Sequence, residues 1–494
     1  MGGPNVAAAP VDKGWLVRMF RNFLPASAVL SEVEDLRPYE CDGLSAYRRL
    51  PMIVVLPSTE QEVAKILSIC FEAGVPVVAR GAGTGLSGGA LPIEQGVLLS
   101  LSKFTRILAI DPLSRTARVQ SGVRNLAISD AVAPYGLYYA PDPSSQIACT
   151  IGGNVAENAG GVHCLKYGLT VHNIVKLRLA TIEGEILDVG SDGLDAPGYD
   201  LLALTTGSEG LLGVVTEVTV KLTPKPAAAK LVMAAFDDIA RAGEAVANII
   251  AAGIVPAGLE MMDQLATRAV EQFIHAGYPL DAAAILLCES DGTQEEVETE
   301  IAKVAEVMRA NGATALWISR DEAERLKLWS GRKAAFPAVG RLKPDYYCMD
   351  GTIPRKNLAR VLKGIADLSA EYGLTCANVF HAGDGNLHPL IMFDANIPGQ
   401  LATAEAFGGR ILELCIEAGG TITGEHGVGV EKIDQMCVQF RTAELQRFHA
   451  IKQAFDERAL LNPGKAVPTL HRCAEFGAMH VRAGQERFPD LPRF

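Results

Sequence analysis

No two of the ten cysteines, at 41, 70, 149, 164, 288, 348, 376, 415, 437 and 473, form a C-x-x-C pair. That absence excludes the spacing of an iron–sulfur cluster or a zinc ribbon, and scattered free thiols suit a reducing cytosol. The chain is expected to carry no electron-conducting cluster of its own. Long apolar runs are also missing: nothing approaches about 18 consecutive apolar residues, so no membrane-spanning helix is expected. Met1-Gly2-Gly3-Pro4-Asn5-Val6 lacks a charged leader ahead of an apolar stretch, which argues against export. Positive charge is in deficit, with a net charge of −12, and no basic stripe for nucleic acid is available. What is present is 49% hydrophobic and 21% charged residue content, the balance of a folded globular chain. At 494 residues it is too long for one ordinary core, so two or more domains are expected.

Texture changes along the chain. Short β-branched runs separated by turn residues (52–56, 75–79, 96–101, 116–120, 174–181 and 214–222) predict strands. A helix is predicted over 59–73, with Ser58 or Thr59 as its cap. Thr223-Pro224-Lys225-Pro226 reads as a linker. Beyond it amphipathic helices (237–252, 294–310, 358–372, 402–418) alternate with strands (283–289, 346–353, 375–381, 387–393). Asn462-Pro463-Gly464-Lys465 is expected to end a helix and open a polar tail. The expected organisation is an N-terminal helical segment (1–50), a ligand-binding domain (51–225), a second domain (226–455) and a C-terminal segment (456–494).

The second domain holds Phe380-His381-Ala382-Gly383-Asp384-Gly385-Asn386-Leu387-His388. Asp-Gly is a strong two-residue hairpin signal, since both positions favour φ > 0. A turn there sets His381 opposite His388, with Cβ atoms about 4.5–5.5 Å apart. Gly424, Gly427 and Gly429 flank Glu425-His426 and let a second segment approach. His381, His388 and Glu425 with an open position form the pattern of a catalytic divalent metal, zinc or manganese. His426 remains as a base.

In the first domain a strand enters Arg80-Gly81-Ala82-Gly83-Thr84-Gly85-Leu86-Ser87-Gly88-Gly89, whose backbone N–H groups can surround a pyrophosphate. The literal G-x-G-x-x-G at Gly83, Gly85 and Gly88 does not indicate a Rossmann site, because that motif must open a helix and Pro92 and Gly96 follow. A second small-residue stretch includes Pro141, Asp142, Ser144, Ser145, Gly152, Gly153, Asn154, Glu157, Asn158 and Gly161. Such sequence is costly in conformational entropy unless close packing on a ligand offsets it.

R-G-x-G-T, P-D-P-S and G-G-N-x-x-x-N-x-G-G resemble the FAD-binding domain of the vanillyl-alcohol oxidase/p-cresol methylhydroxylase superfamily. The resemblance implies an α+β fold: a two-subdomain FAD-binding domain, an α+β substrate or cap domain, and a C-terminal return to the FAD domain. It places the pyrophosphate at 80–88 and the rest of the flavin along 141–161 and 207–214, with Gly207, Gly213 and Val214 among its contacts. Members with covalent flavin often carry a His in the glycine loop; this loop has no His or Cys, so FAD is expected to be non-covalent. H-A-G-D-G-N-L-H, G-E-H-G-V-G and N-P-G-K are similar to the D-2-hydroxyacid dehydrogenase branch, whose metal ligands fall on His381, His388 and Glu425 and whose base falls on His426. Tyr39-Glu40-Cys41-Asp42-Gly43, Tyr346–Pro354 and the tail from Leu470 to His480 resemble the FAD-linked subunits of bacterial glycolate oxidases.

The implied reaction removes a hydride from Cα and a proton from the hydroxyl of a 2-hydroxy acid, at the interface of the two domains. Arg332 is expected to bind the substrate carboxylate through its planar fork. Relatives acting on D-2-hydroxyglutarate carry Thr, Lys and Asn where this chain has Phe336, Cys348 and Leu390. Their loss removes polar capacity for a distal carboxylate and favours glycolate, with D-lactate as the alternative in an enzyme acting without dedicated subunits. By resemblance the partners are a second flavin-type subunit and an iron–sulfur subunit, at the inner face of the cell membrane. Leu470, Phe476, Met479, Phe488, Leu491 and Phe494 are expected to form a docking strip.

Overall fold

The computed structural model describes residues 11–193, 198–470 and 472–473. Of the expected docking strip only Leu470 lies among them; Phe476, Met479, Phe488, Leu491 and Phe494 lie outside, as does the 1–6 segment. Two compact units form: 11–159, 169–224 and 452–463 in one, and 160–168, 225–451 and the chain from 464 onward in the other.

The first unit contains two larger sheets and a two-stranded pairing of Leu137–Tyr138 with Thr223–Pro224. One is four-stranded, in the spatial order Val29–Leu30, Ile53–Val55, Val97–Ser100, Val77–Arg80, with its last two junctions parallel. The Glu60–Ala73 helix begins where Thr59 and Glu62 form a reciprocal capping box and ends at Gly74 with φ +68°. It buries Val63, Ile66, Leu67 and Cys70 among Ile53, Val55, Val77 and Val97. The second sheet is five-stranded and antiparallel, in the order Ile107–Asp111, Thr116–Gln120, Val214–Lys221, Ile174–Ala180, Ile186–Gly190. A helix at Ile151–Glu157 has no counterpart among the elements expected from the sequence. Thr150 caps it, and a Cβ on Gly152 would lie 2.6 Å from the Ser121 Cβ. That glycine is therefore required by helix-on-loop packing in the chain itself.

The second unit is built on a seven-stranded antiparallel sheet. Its order is Ala315–Ile318, Ala228–Phe236, Ala284–Gly292, Gly258–Asp263, Cys376–Phe380, Pro389–Phe393, Asp345–Cys348. The helices Gln294–Ala310 and Leu358–Tyr372 fall where the apolar periodicity placed them. The strand expected over 346–353 stops at Cys348, and Met349–Pro354 leaves the sheet as an irregular strap. The helix expected to end at 462–465 stops at Phe455. Asn462 has φ +45°, and its amide donates to the backbone oxygens of Gly89 (3.0 Å) and Glu209 (2.7 Å). That segment acts as a fastener in the first unit, in keeping with the expected return of the chain.

The expectation of free thiols throughout is corrected: Cys437 and Cys473 form a disulfide, and the other eight cysteines are free. The pair is 36 residues apart in sequence, so only the fold brings it together. Among the described residues no helix is long and apolar enough to cross a membrane.

Candidate active site

The strand Val77–Arg80 delivers its last residue, Arg80, into the base of the glycine loop. Arg80 donates to the Cys41 carbonyl at 2.7 Å and lies over the Tyr39 ring. Asp42 accepts from the Leu44 and Ala90 amides. A Cβ on Gly43 would stand 2.8 Å from the Thr84 and Gly85 carbonyl oxygens. The Tyr39–Gly43 segment thus clamps the loop from behind. Gly83 has φ +71°, and a Cβ there would collide with the Arg80 guanidinium. Gly85 differs: a Cβ would meet only Glu157 Oε1, at 4.0 Å. The N–H groups of Gly83, Thr84, Gly85 and Leu86 have no backbone acceptor among the described residues. Ser87 Oγ and Asn154 Nδ2 are buried without a hydrogen-bond partner there. Open space over unpaired donors fits a pyrophosphate-bearing cofactor.

The remaining expected cofactor residues divide. Ala82, Gly88, Pro141, Asp142, Ser144, Ser145, Gly153, Glu157, Asn158 and Gly207 belong to this unit, whereas Gly161 falls in the segment 160–168 of the other. Asn158 caps its helix in the left-handed region, and the Gly207 amide returns to Val155 O at 2.8 Å. A Cβ on Gly213 would strike Leu179, and the Val214 side chain lies in the core.

In the second unit, Cys376–Phe380 and Pro389–Phe393 form the expected hairpin in a different register. Asn378 faces Pro389, and His381 bridges to Asn386 rather than His388. The turn spans Ala382–Gly385: the Gly385 amide donates to His381 O, the Asn386 amide to Asp384 Oδ1, and of the Asp-Gly pair only Gly385 takes φ > 0. The side-chain bond from Asp384 replaces the tight two-residue turn. His381 and His388 then become diagonal neighbours on one face, with ring centroids 5.1 Å apart. The strap Met349–Pro354 brings in the third element, since Thr352 bridges to Asn386 on one side and Thr421 on the other. Glu425 Oε1 stands 3.4 Å from His381 Nε2 and 3.3 Å from His388 Nε2. His388 Nε2 is buried and makes no hydrogen bond despite these approaches. One ligand atom from each of His381, His388 and Glu425 lies within 4.8 Å of the others, a geometry that fits a divalent cation. His426 stacks on His388 at 4.9 Å.

Asp350, His388 and His426 also converge. Asp350, however, is already committed. Its Oδ2 accepts from Thr423 Oγ1 (2.6 Å), the amides of Gly424 (3.0 Å) and His426 (2.9 Å), and Lys432 Nζ (3.1 Å). Burial pushes the Asp350 carboxyl up, but Lys432 and the histidines outweigh it and hold it well below the usual range. A cation beside that neutralised pair gains little, so the Glu425 set is the better metal site. Burial likewise opposes ionisation of Glu425, while the adjacent His381 and His388 imidazoles pull it well below its ordinary value. His426 is pushed down to about 4, first by burial and then by His388 and Lys432 against the pull of Asp350.

Arg332, on the Glu322–Lys333 helix, is 2% exposed. Its Nε donates to Glu260 Oε2 at 2.7 Å, and its Nη2 has no partner among the described residues. Phe336 packs edge-on against His388, and Cys348 faces Leu390 directly across the sheet. All three belong to the apolar core of this unit. Glu260, Asp350 and Lys432 are not among the site residues expected from the sequence. Glu260 and Asp350 are ionisable residues in apolar stretches, such as Gly258-Leu259-Glu260-Met261-Met262, and a buried charge demands a partner; Lys432, between Glu431 and Asp434, gives no such signal.

Residues 51–190 match the FAD binding domain family, and residues 225–466 match the C-terminal domain of the FAD linked oxidases. Over 488 residues the chain is 63% identical to the glycolate oxidase subunit GlcD of Escherichia coli (strain K12), covering 99% of this chain and 98% of that protein. The protein of the same name from Bacillus subtilis (strain 168) is 41% identical, with 86% and 91% covered. A D-lactate dehydrogenase of Anaerostipes hadrus is 31% identical, with 91% and 96% covered. Among solved structures, 4-ethylphenol oxidase from Gulosibacter chungangensis superposes with a TM-score of 0.78 at 16% identity, covering 94% of this chain and 99% of that one. p-Cresol methylhydroxylase gives 0.76 at 18%, covering 93% and 97%. These two share the fold.

Proposed function

The chain belongs to the FAD-linked oxidases, and from that premise we propose that it oxidises glycolate to glyoxylate as a subunit of a larger assembly. The observation that carries the chemistry is the convergence of His381, His388 and Glu425 beside His426. A zinc or manganese ion would be held by the first three, and when bound it would acidify the substrate hydroxyl. The glycine loop would hold FAD non-covalently, and the flavin would supply the hydride acceptor for Cα. Arg332 offers its unpaired Nη2 to the substrate carboxylate, and the flanking Glu260 contact fixes the plane of the guanidinium. His426, neutral because burial disfavours its charged form, accepts the hydroxyl proton. The balance is a two-electron oxidation: C–H and O–H bonds break, a carbonyl forms, one proton stays on the imidazole and a hydride leaves. Phe336, Cys348 and Leu390 present no group for a second carboxylate, which supports a small acid.

Anaerobic mixing with glycolate tests this reading. The flavin band near about 450 nm should bleach, faster at equal concentration with glycolate than with D-lactate. His426→Ala should keep flavin and slow the bleaching by about 10²–10⁴. An unchanged rate in that variant removes His426 as the base, and no bleaching by either acid removes the activity. The reading also places the protein in the cytoplasm, peripheral at the inner membrane face, with a second flavin-type subunit and an iron–sulfur subunit as partners.

A further inference from the structure

The strand Gly258–Asp263 pairs antiparallel with Cys376–Phe380, Met261 opposite Phe380 and Met262 opposite Val379. Carried one step past the paired residues, that register sets Glu260 opposite His381. Glu260 is 1% exposed, between the apolar Leu259 and Met261 of its strand. Its two carboxylate oxygens have separate tasks. Oε1 meets His381 Nδ1 at 2.7 Å, and Oε2 accepts from Arg332 Nε at 2.7 Å. Burial works against its charge, but His381 and Arg332 outweigh it and keep the carboxyl below its usual range. We propose that Glu260 is the positioning residue of the site, one carboxylate that orients both a metal-ligating imidazole and the guanidinium that receives the substrate carboxylate.

The inference rests on the metal-assisted reading above and deepens it. Accepting from Nδ1–H fixes the tautomer of His381 and leaves the Nε2 lone pair for the cation. Accepting from Nε of Arg332 turns the terminal nitrogens, including the unpaired Nη2, toward a ligand. Because both contacts run through one rigid group on a central strand, the distance between cation and carboxylate clamp is set by Glu260 and not by two flexible side chains. An amide cannot replace it: Gln offers one acceptor oxygen, and its NH₂ would face a donor at whichever partner it does not serve.

The test compares wild type, Glu260→Gln and Glu260→Asp, with FAD content as the fold check because the glycine loop belongs to the other unit. Zinc affinity is read by chelator competition, and KM and kcat for glycolate are read with zinc saturating. Glu260→Gln should keep FAD and lose zinc affinity by about 10–100-fold, and at saturating zinc its KM should rise by more than its kcat falls. Glu260→Asp retains two acceptor oxygens and should recover part of both constants. Should the Gln variant fail to fold, the Asp variant carries the test, since both constants must weaken together. A variant that changes one constant without the other, or neither, overturns the proposal. Wild-type protein that is active with no stoichiometric metal overturns instead the reading on which the proposal stands.

Discussion

Two glycines of the Arg80–Gly89 loop illustrate how different reasons can select one residue type. Gly83 is fixed by its own chain, because a Cβ there would overlap Arg80, whereas Gly85 faces open space. Gly85→Val should therefore fold, with an unchanged far-ultraviolet circular dichroism spectrum, and emerge without the yellow colour of bound flavin. Stoichiometric FAD in that variant would remove the loop from the cofactor site. Gly83→Val is a poorer experiment, since loss of flavin there would follow from misfolding as readily as from lost space. Buried charges carry the other lesson at this scale. Lys432 and Asp350 are both fully buried, and Lys432 also donates to Gly427 O at 2.8 Å. Lys432→Met leaves the aspartate charge uncompensated and should cost about 3–5 kcal/mol, measured by chemical denaturation. A cost under about 1 kcal/mol would mean that the backbone amides of the Gly424–His426 turn alone suffice to hold Asp350.

At the scale of elements, irregular segments position the chemistry more than the regular ones do. The strap Met349–Pro354 was expected to extend a strand; it leaves the sheet at Cys348, and this departure puts Asp350 under the Glu425 loop and Thr352 between two neighbours. The segment 160–168 is a second such element. It leaves the sequence of the first unit and joins the second, where His163 Nε2 meets Glu289 at 3.3 Å and Tyr167 donates to Asp291 at 2.7 Å. Burial raises the Glu289 carboxyl, but His163, Arg325 and Trp329 outweigh it and leave it below the usual carboxylate range. A carboxylate with a depressed folded value contributes stability that is fully present above the unfolded value and is lost as pH falls through the folded one. Glu289→Gln should therefore lower the thermal midpoint at neutral pH, and the gap from wild type should close as pH falls through the depressed value of the carboxyl. A gap independent of pH between 7 and about 3 would show that the pair adds nothing through its charge.

For the whole molecule, the proposed function leaves the reduced flavin to pass its electrons to a separate acceptor. The purified chain should turn over glycolate with an artificial dye acceptor and reduce quinone slowly or not at all until an iron–sulfur partner is added. Quinone reduction by the chain alone, at the dye-coupled rate, would make such partners unnecessary.

Much of this protein was legible along the chain because it depends on neighbours in sequence. The capping box at Thr59 and Glu62, the helices Gln294–Ala310 and Leu358–Tyr372, the division near Pro224, and the grouping of His381 with His388 are local patterns, set by turn chemistry and by apolar periodicity. Tertiary structure alone decided the rest. The hairpin register followed the Asp384 side chain and the contacts of Gly385 with Ile353, not the Asp-Gly dipeptide by itself. The helix at Ile151–Glu157, the Cys437–Cys473 bond and the commitment of Asp350 to Lys432 join or depend on residues that no local spacing relates. Glu260 is the clearest instance: it lies 121 positions from His381 and 72 from Arg332, and only the order of strands in one sheet makes the three a unit. A sequence can display the charge that needs a partner, but which partner arrives is decided by which strands lie side by side.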